Sequence, residues 1–469
     1  MRTSIAGSLP FYESLMPNAS LSVATADKLL GALANSRCDE IIVEGVIKAL
    51  PTLKLRPGVA IRGGSEDASL VFAADVDGLQ LTRDNTVEDL CISASIQQRA
   101  LFNDTRQSGF GILHLARLTV YGQVQLIAAD KLQTGHVEID GLDIVAADAR
   151  GSSLLSLSSN AARGKAGAKV SVKTKAPEKL DVYGVGISEG QQRPHGFGVH
   201  VIQGAFTLWN MQPDPSSLIT ADLRGISVGR ASAPVLGSGV FVSGSVVKGV
   251  NGGKLSVALL ETGAIYSNGM IAPGTPDQIT GGVFVVYNAF ASLVRNLGPV
   301  TTYGVNDMVL DNWGVVDQWE AQEKITSFGP SGIGFVNFGV LNELYVLAPV
   351  ETFGTGSRGF NVYDGHLGSA EFDRIVTHGD GSVGVQISKP ISHLHVHRGI
   401  ETFGASGDSL VKGVVVNLSA IALSVKPGGS AASINIEGGL TTHGKGIAPL
   451  EMQGNVTSLH VDNVSAKNH

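Results

Sequence analysis

The sequence predicts an all-β chain wound as a stack of short parallel strands, with a small helix closing its N-terminal end. Three observations carry that prediction. Gly supplies 60 of 469 residues while 16 % are charged and 43 % hydrophobic; this balance excludes a disordered chain and disfavours helices, which Gly weakens. Short apolar runs alternate with Gly, Ser, Asn and Asp along the whole chain, as expected of many strands joined by turns. The third observation is a repeat.

A Thr or Ser, an aromatic residue or His, and a Gly recur as TYG (302–304), SFG (327–329), TFG (352–354), THG (377–379), TFG (402–404) and THG (442–444). The glycines at 304, 329, 354, 379 and 404 are 25 residues apart, and Gly444 follows after 40. Four residues before each Gly stands Val300, Ile325, Val350, Ile375, Ile400 or Leu440, and two before it Thr302, Ser327, Thr352, Thr377, Thr402 or Thr442. Strand alternation puts these two positions on one face and the ring residue on the other. A second apolar run follows five residues after the Gly (GFVNF 334–338, GFNVY 359–363, GVQIS 384–388), and then a third (LNELYVL 341–347, ISHLHV 391–396). Three strands per 25 residues with no helix between them describe one coil of a parallel β-helix, stacked at about 4.8 Å on the next, each coil unable to bury its face alone.

Upstream the same second strand recurs more widely as GVHV (198–201), GVFV (239–242) and GVFV (282–285), so those coils carry insertions such as 243–254 and 266–281. RPGVAIRGG (56–64), LTVYG (118–122) and LDVYG (180–184) resemble coil turns, and the Gly/Ala/Lys-rich stretch 160–179 reads as a solvated loop. Residues 25–36 predict a short amphipathic helix with Thr25 as N-cap. The expected organisation is an N-terminal cap over 1–40 and a β-helix over 41–469, with long-loop coils to about 300 and regular ones beyond.

Over about residues 41–464 this coil length, strand plan and column stacking resembles the right-handed parallel β-helix superfamily of pectate lyases, polygalacturonases and inulin fructotransferases. The resemblance implies a carbohydrate-active enzyme: a glycoside hydrolase, lyase or fructotransferase acting on an oligo- or polysaccharide. The polygalacturonase-type N-T-D and paired D-D motifs are absent. The alternative is a non-catalytic structural or glycan-binding β-solenoid of the adhesin or phage-fibre kind. A net charge of −7 without a basic block gives no nucleic-acid footprint, and no apolar stretch is long enough to span a bilayer. The N-terminus lacks a continuous apolar signal region, so a cytoplasmic protein is expected, or a secreted one if a leader has been removed. No cofactor is called for.

Glycoside cleavage needs two carboxyl groups, about 5–5.5 Å apart for retention and 6.5–9.5 Å for inversion. Asp307, Asp311 and Glu351 are the expected catalytic carboxyls, because they lie where long-loop coils meet regular ones. Trp313, Tyr363, Asn361 and Asp364 are expected to bind substrate, with His378 a supporting donor. A second carboxylate nearby would raise the pKa of an acid in this cluster. Asn312 and Asn337 share an inward register and predict a ladder satisfying turn backbone groups. Two columns face outward, Tyr303, Phe328, Phe353, His378, Phe403 and His443 in one, Trp313, Phe338 and Tyr363 in the other. Covering loops, a subunit interface or a sugar-stacking platform would each account for them, and a homo-oligomer, by analogy a trimer, is expected. His393, His395 and His397 form H-L-H-V-H with Glu371 or Asp373 on the preceding coil; a solvated face explains them, and no metal site is expected.

Overall fold

The computed structural model describes residues 19–150, 200–247, 250–275, 278–411 and 414–467. The expected solvated loop at 160–179 and the LDVYG turn at 180–184 lie outside these residues. The described chain is 2 % helix and 61 % strand, and its large sheets are parallel throughout, as the repeat predicts.

From residue 300 each coil has three strands. Val300–Thr302, Asp307–Asn312 and Val315–Ala321 stack on Ile325–Ser327, Ile333–Asn337 and Val340–Val346, and these on Val350–Thr352, Arg358–Val362 and His366–Phe372. Val300, Ile325, Val350, Ile375, Ile400 and Leu440 are register partners in succession, all buried. The middle strands form one sheet, and the first and third strands belong to the other, larger one. In earlier coils third and first strands run together, as in Gly109–Tyr121, Thr134–Ala146 and Lys254–Asn268.

The repeated glycine has a steric reason. A Cβ at Gly329, Gly354, Gly379, Gly404 or Gly444 would sit 1.6–2.2 Å from the carbonyl oxygen of the repeat glycine one coil back. Successive turns are therefore packed backbone on backbone, and a side chain there would force the coils apart.

The expected helix forms over Ala26–Ala34, with the Thr25 side chain accepting from the Lys28 N–H at 3.4 Å. Its Leu29 and Ala32 are buried on the open first coils. Strand pairing reaches back past it, since Ala19–Val23 stacks in parallel on Cys38–Val43. The Asn ladder is present: Asn312 Nδ2 donates to Asn337 Oδ1 at 2.8 Å, and Asn337 Nδ2 to the Gly339 carbonyl at 3.1 Å. Both amides thereby tie the turn after the middle strand.

Candidate functional site

The middle-strand sheet has an outer face that is not solvated. Its central column runs through register partners Thr207, Phe241, Phe284, Asp311, Val336, Asn361, Gln386 and Ser424, every one buried. Beside it Trp209, Tyr287, Met308, Trp313, Ile333 and Tyr363 make an apolar cluster, separate from the interior core, that also takes in Val201 and its register partner Ile279. Trp313 and Tyr363 do face outward, as their register predicts, but only 3 % and 7 % of each remains exposed. Covering segments are the physical reason.

One cover is a hairpin, Ser406–Val411 paired antiparallel with Val414–Ser419. It leaves the stack after Gly404 and runs back along the solenoid axis. The Ala405 N–H donates to Asp380 Oδ1 at 2.7 Å, Ser409 Oγ to the Gly356 carbonyl at 2.7 Å, and the Leu410 N–H to Ser331 Oγ at 3.0 Å. The arm thus crosses three coils, and Val411 reaches the apolar cluster.

On this covered face, among the described residues, lie polar groups without well-aligned partners. The Trp313 indole stands beside the Asp311 carboxyl, but neither Asp311 oxygen makes a well-aligned hydrogen bond, and the Asn361 Oδ1 and Nδ2 and Arg358 Nε have no partner. Arg358 is fully buried; its Nη2 donates to Ser409 Oγ at 2.9 Å and Nη1 to the Gly356 carbonyl at 3.3 Å, while its guanidinium lies 5.8 Å from the Tyr363 ring centre. No carboxylate pairs with it among the described residues. Burial pushes the Asp311 carboxyl far above the ordinary carboxylate range, opposed only by the Trp313 indole. The expected rise in pKa is present, but desolvation causes it, not a second carboxylate.

The three expected catalytic carboxyls do not converge. Asp307 is buried inside a turn, where the N–H groups of Gly269 and Gly304 donate to Oδ2 at 3.0 and 2.7 Å and the Thr280 hydroxyl donates to Oδ1. Burial raises this carboxyl to about 6 against those three bonds. Its place is that of a turn brace. Glu351 stands on the outer face of a first strand, in a column with Thr326, Val376 and Glu401. It pairs with Lys324 and lies 2.8 Å from His378 Nε2. Burial alone would raise it, but Lys324 and His378 outweigh that and hold it below its ordinary value. Glu401 repeats the motif with Arg374 and His443. Asp364 closes its own turn, accepting from the Gly365 N–H at 2.9 Å, with Lys389 3.4 Å away.

Of the expected site residues, then, Asp311, Trp313, Asn361 and Tyr363 share the covered face. Asp307, Glu351 and His378 belong elsewhere, and Asp364 belongs to the adjoining turn. Arg358 was missed. Its signal was legible, for it stands in register with Ile333 and Val383, where a cation breaks an apolar column.

The other outward column is a ladder of six stacked rings. From Tyr303 through Phe328, Phe353, His378 and Phe403 to His443, centres are 4.2–5.4 Å apart and planes within 11° of parallel. Phe328, Phe353 and Phe403 are exposed, but by their edges. Each inner ring spends both faces on its neighbours, so none of the four inner rings offers a face for a sugar to stack on. The ladder joins coil to coil.

Comparison with protein-family models, with curated proteins and with solved structures finds no match. The class of the protein rests on its geometry: a parallel β-helix with one covered, polar-lined outer face.

Proposed function

We propose that the protein is a glycan-binding β-solenoid that takes an acidic saccharide on the covered face of its middle sheet, a use in keeping with the resemblance to the pectate lyase-like superfamily. The observation that carries this reading is the set of buried polar atoms on Asp311, Asn361, Trp313 and Arg358 Nε, beside an apolar wall and without a well-aligned hydrogen bond among the described residues. Unpaired buried polar groups are costly and call for an occupant. A carboxyl whose charged form burial disfavours, a primary amide and an indole N–H match the alternating donors and acceptors of sugar hydroxyls. A buried guanidinium with no carboxylate partner among the described residues favours a uronate or sulfate group.

A catalytic reading retains one foothold. Burial disfavours the charged form of Asp311, the direction a general acid needs, yet neither Asp307 nor Glu351 stands ready as its partner base. Calorimetry of the full chain with matched neutral and uronate-containing oligosaccharides tests the proposal. We expect the uronate series alone to bind, with Asp311→Asn and Arg358→Met each weakening it by at least about tenfold, or about 1.4 kcal/mol. Absence of binding across the panel, or binding indifferent to both substitutions, refutes it. New reducing or unsaturated ends that vanish in Asp311→Asn would replace it with the enzyme reading.

A further inference from the structure

The third strands carry a different constellation, on another face from the Asp311 patch. Glu371 in His366–Phe372 is the register partner of His395 in Pro390–Val396, and His395 is the partner of Asn435 in Ser430–Ile436. His397 and Glu437 immediately follow their strands in the next row. His397 Nε2 lies 2.7 Å from Glu371 Oε1, and His395 Nε2 lies 3.0 Å from Glu437 Oε1. The two imidazole centres are 4.1 Å apart. One ligand atom from each of Glu371, His395 and His397 falls within 4.8 Å of the others.

We propose that Glu371, His395 and His397 form a site for a divalent transition metal, zinc being the first candidate. Two neutral imidazoles and one carboxylate are a common zinc donor set, and three protein ligands leave a fourth tetrahedral position. Imidazole donors select zinc, copper or nickel over magnesium and calcium, which prefer oxygen alone. Glu437 sits beside His395 and supplies either the fourth ligand or a carboxylate that orients the ring. His393 is turned to a different partner, its Nδ1 lying 2.8 Å from Ser433 Oγ, and His460 is held near Asp462. The ligands come from successive coils, so a bound ion staples one coil to the next and raises stability by mass action. The inference is independent of the saccharide reading.

The test is zinc titration of the metal-stripped full chain by calorimetry, with cobalt as the spectroscopic probe. One equivalent of Zn²⁺ is expected to bind, with a matching rise in melting temperature and, for Co²⁺, a visible band of tetrahedral intensity. His395→Ala and His397→Ala should each weaken binding by at least about a hundredfold, and Glu437→Gln by about tenfold. His393→Ala and His460→Ala should leave it unchanged, and Ca²⁺ should not bind. No saturable Zn²⁺ binding, or binding equally sensitive to His393 and His460, overturns the proposal. So does affinity that survives loss of both His395 and His397.

Discussion

The repeat glycines make the fold's strictest demand, and Gly379→Ala tests it. A Cβ at residue 379 would stand 2.2 Å from the Gly354 carbonyl oxygen, 2.5 Å from its carbon and 2.8 Å from the Thr355 nitrogen. Real Cβ atoms essentially never come within 3.0 Å of such neighbours, so this turn must open by nearly 1 Å. It cannot do so freely, because the His378 N–H donates to the Thr352 carbonyl at 2.8 Å and the Gly381 N–H to the Ala405 carbonyl at 3.0 Å. Overpacking ordinarily costs about 1–3 kcal/mol. Here the obstacle is backbone, which has no rotamer to change, so a loss of about 3 kcal/mol is expected. The control is Gly31→Ala in the capping helix, where a Cβ meets nothing within 4 Å; it should gain about 0.5–1 kcal/mol through helix propensity. Urea unfolding followed by far-UV circular dichroism measures both. If Gly379→Ala lies within about 0.5 kcal/mol of the parent, the ordinary range for a neutral surface change, the steric account of the repeat is wrong.

Asp307 gives the fold a pH dependence. Its folded pKa of about 6 lies above the ordinary 3.8, so between those values the folded chain holds a proton that the unfolded chain has released. Stability from this group is therefore greatest below about pH 4 and falls by about 3 kcal/mol as pH rises past 6. Asp307→Asn should remove that slope, and parallel stability-versus-pH curves for parent and variant would contradict the assignment. In the ring ladder, Phe353 stacks 5.0 Å from Phe328 and 4.5 Å from His378. At about 0.5–1.5 kcal/mol per aromatic pair, Phe353→Ala should lose about 1–3 kcal/mol and Phe353→Tyr almost none. Equal losses in unfolding experiments would show that the ladder's rings contribute by bulk and not by stacking.

Stacking made much of this fold legible. Once glycines recur every 25 residues, register follows, and with it the inward Val/Ile column, the Asn312–Asn337 ladder and the placement of Asp311 beside Asn361 and Gln386 in one column. The capping helix was legible from Thr25 and the apolar spacing after it. Exposure was not legible. Register says which face a residue points toward, and nothing about what lies over that face. Phe328 and Phe338 are both outward and both aromatic, yet the first is exposed and the second is partly buried against a covered cluster. The difference arises partly from a hairpin whose Leu410 reaches Ser331, 79 residues earlier, and no local pattern encodes so distant a contact. The metal constellation was half visible. H-L-H-V-H and Glu371 stood out, whereas Glu437 follows a coil lengthened by the same hairpin and falls out of the 25-residue count.

The two aspartates of one strand show why a carboxyl's chemistry has to be read from its donors and not from its position. Asp307 and Asp311 are four residues apart and both fully buried. The strand bends between them, for Met308 belongs to the outer cluster while Val309 and Leu310 belong to the core. Asp307 meets two backbone N–H groups and a hydroxyl, which hold its rise to a pKa of about 6. Asp311 meets apolar side chains and one indole, so nothing of comparable strength offsets its desolvation. The first carboxyl is therefore satisfied without any ligand, and the second is not. A buried acid whose surroundings disfavour its charged form has two uses, to donate a hydrogen bond or to donate a proton. Proton donation in glycoside cleavage also requires a base across the bond, and the nearest expected bases are fixed in a turn and in the Lys324–Glu351–His378 cluster on another face. Hydrogen-bond donation requires only a ligand that reaches the covered face.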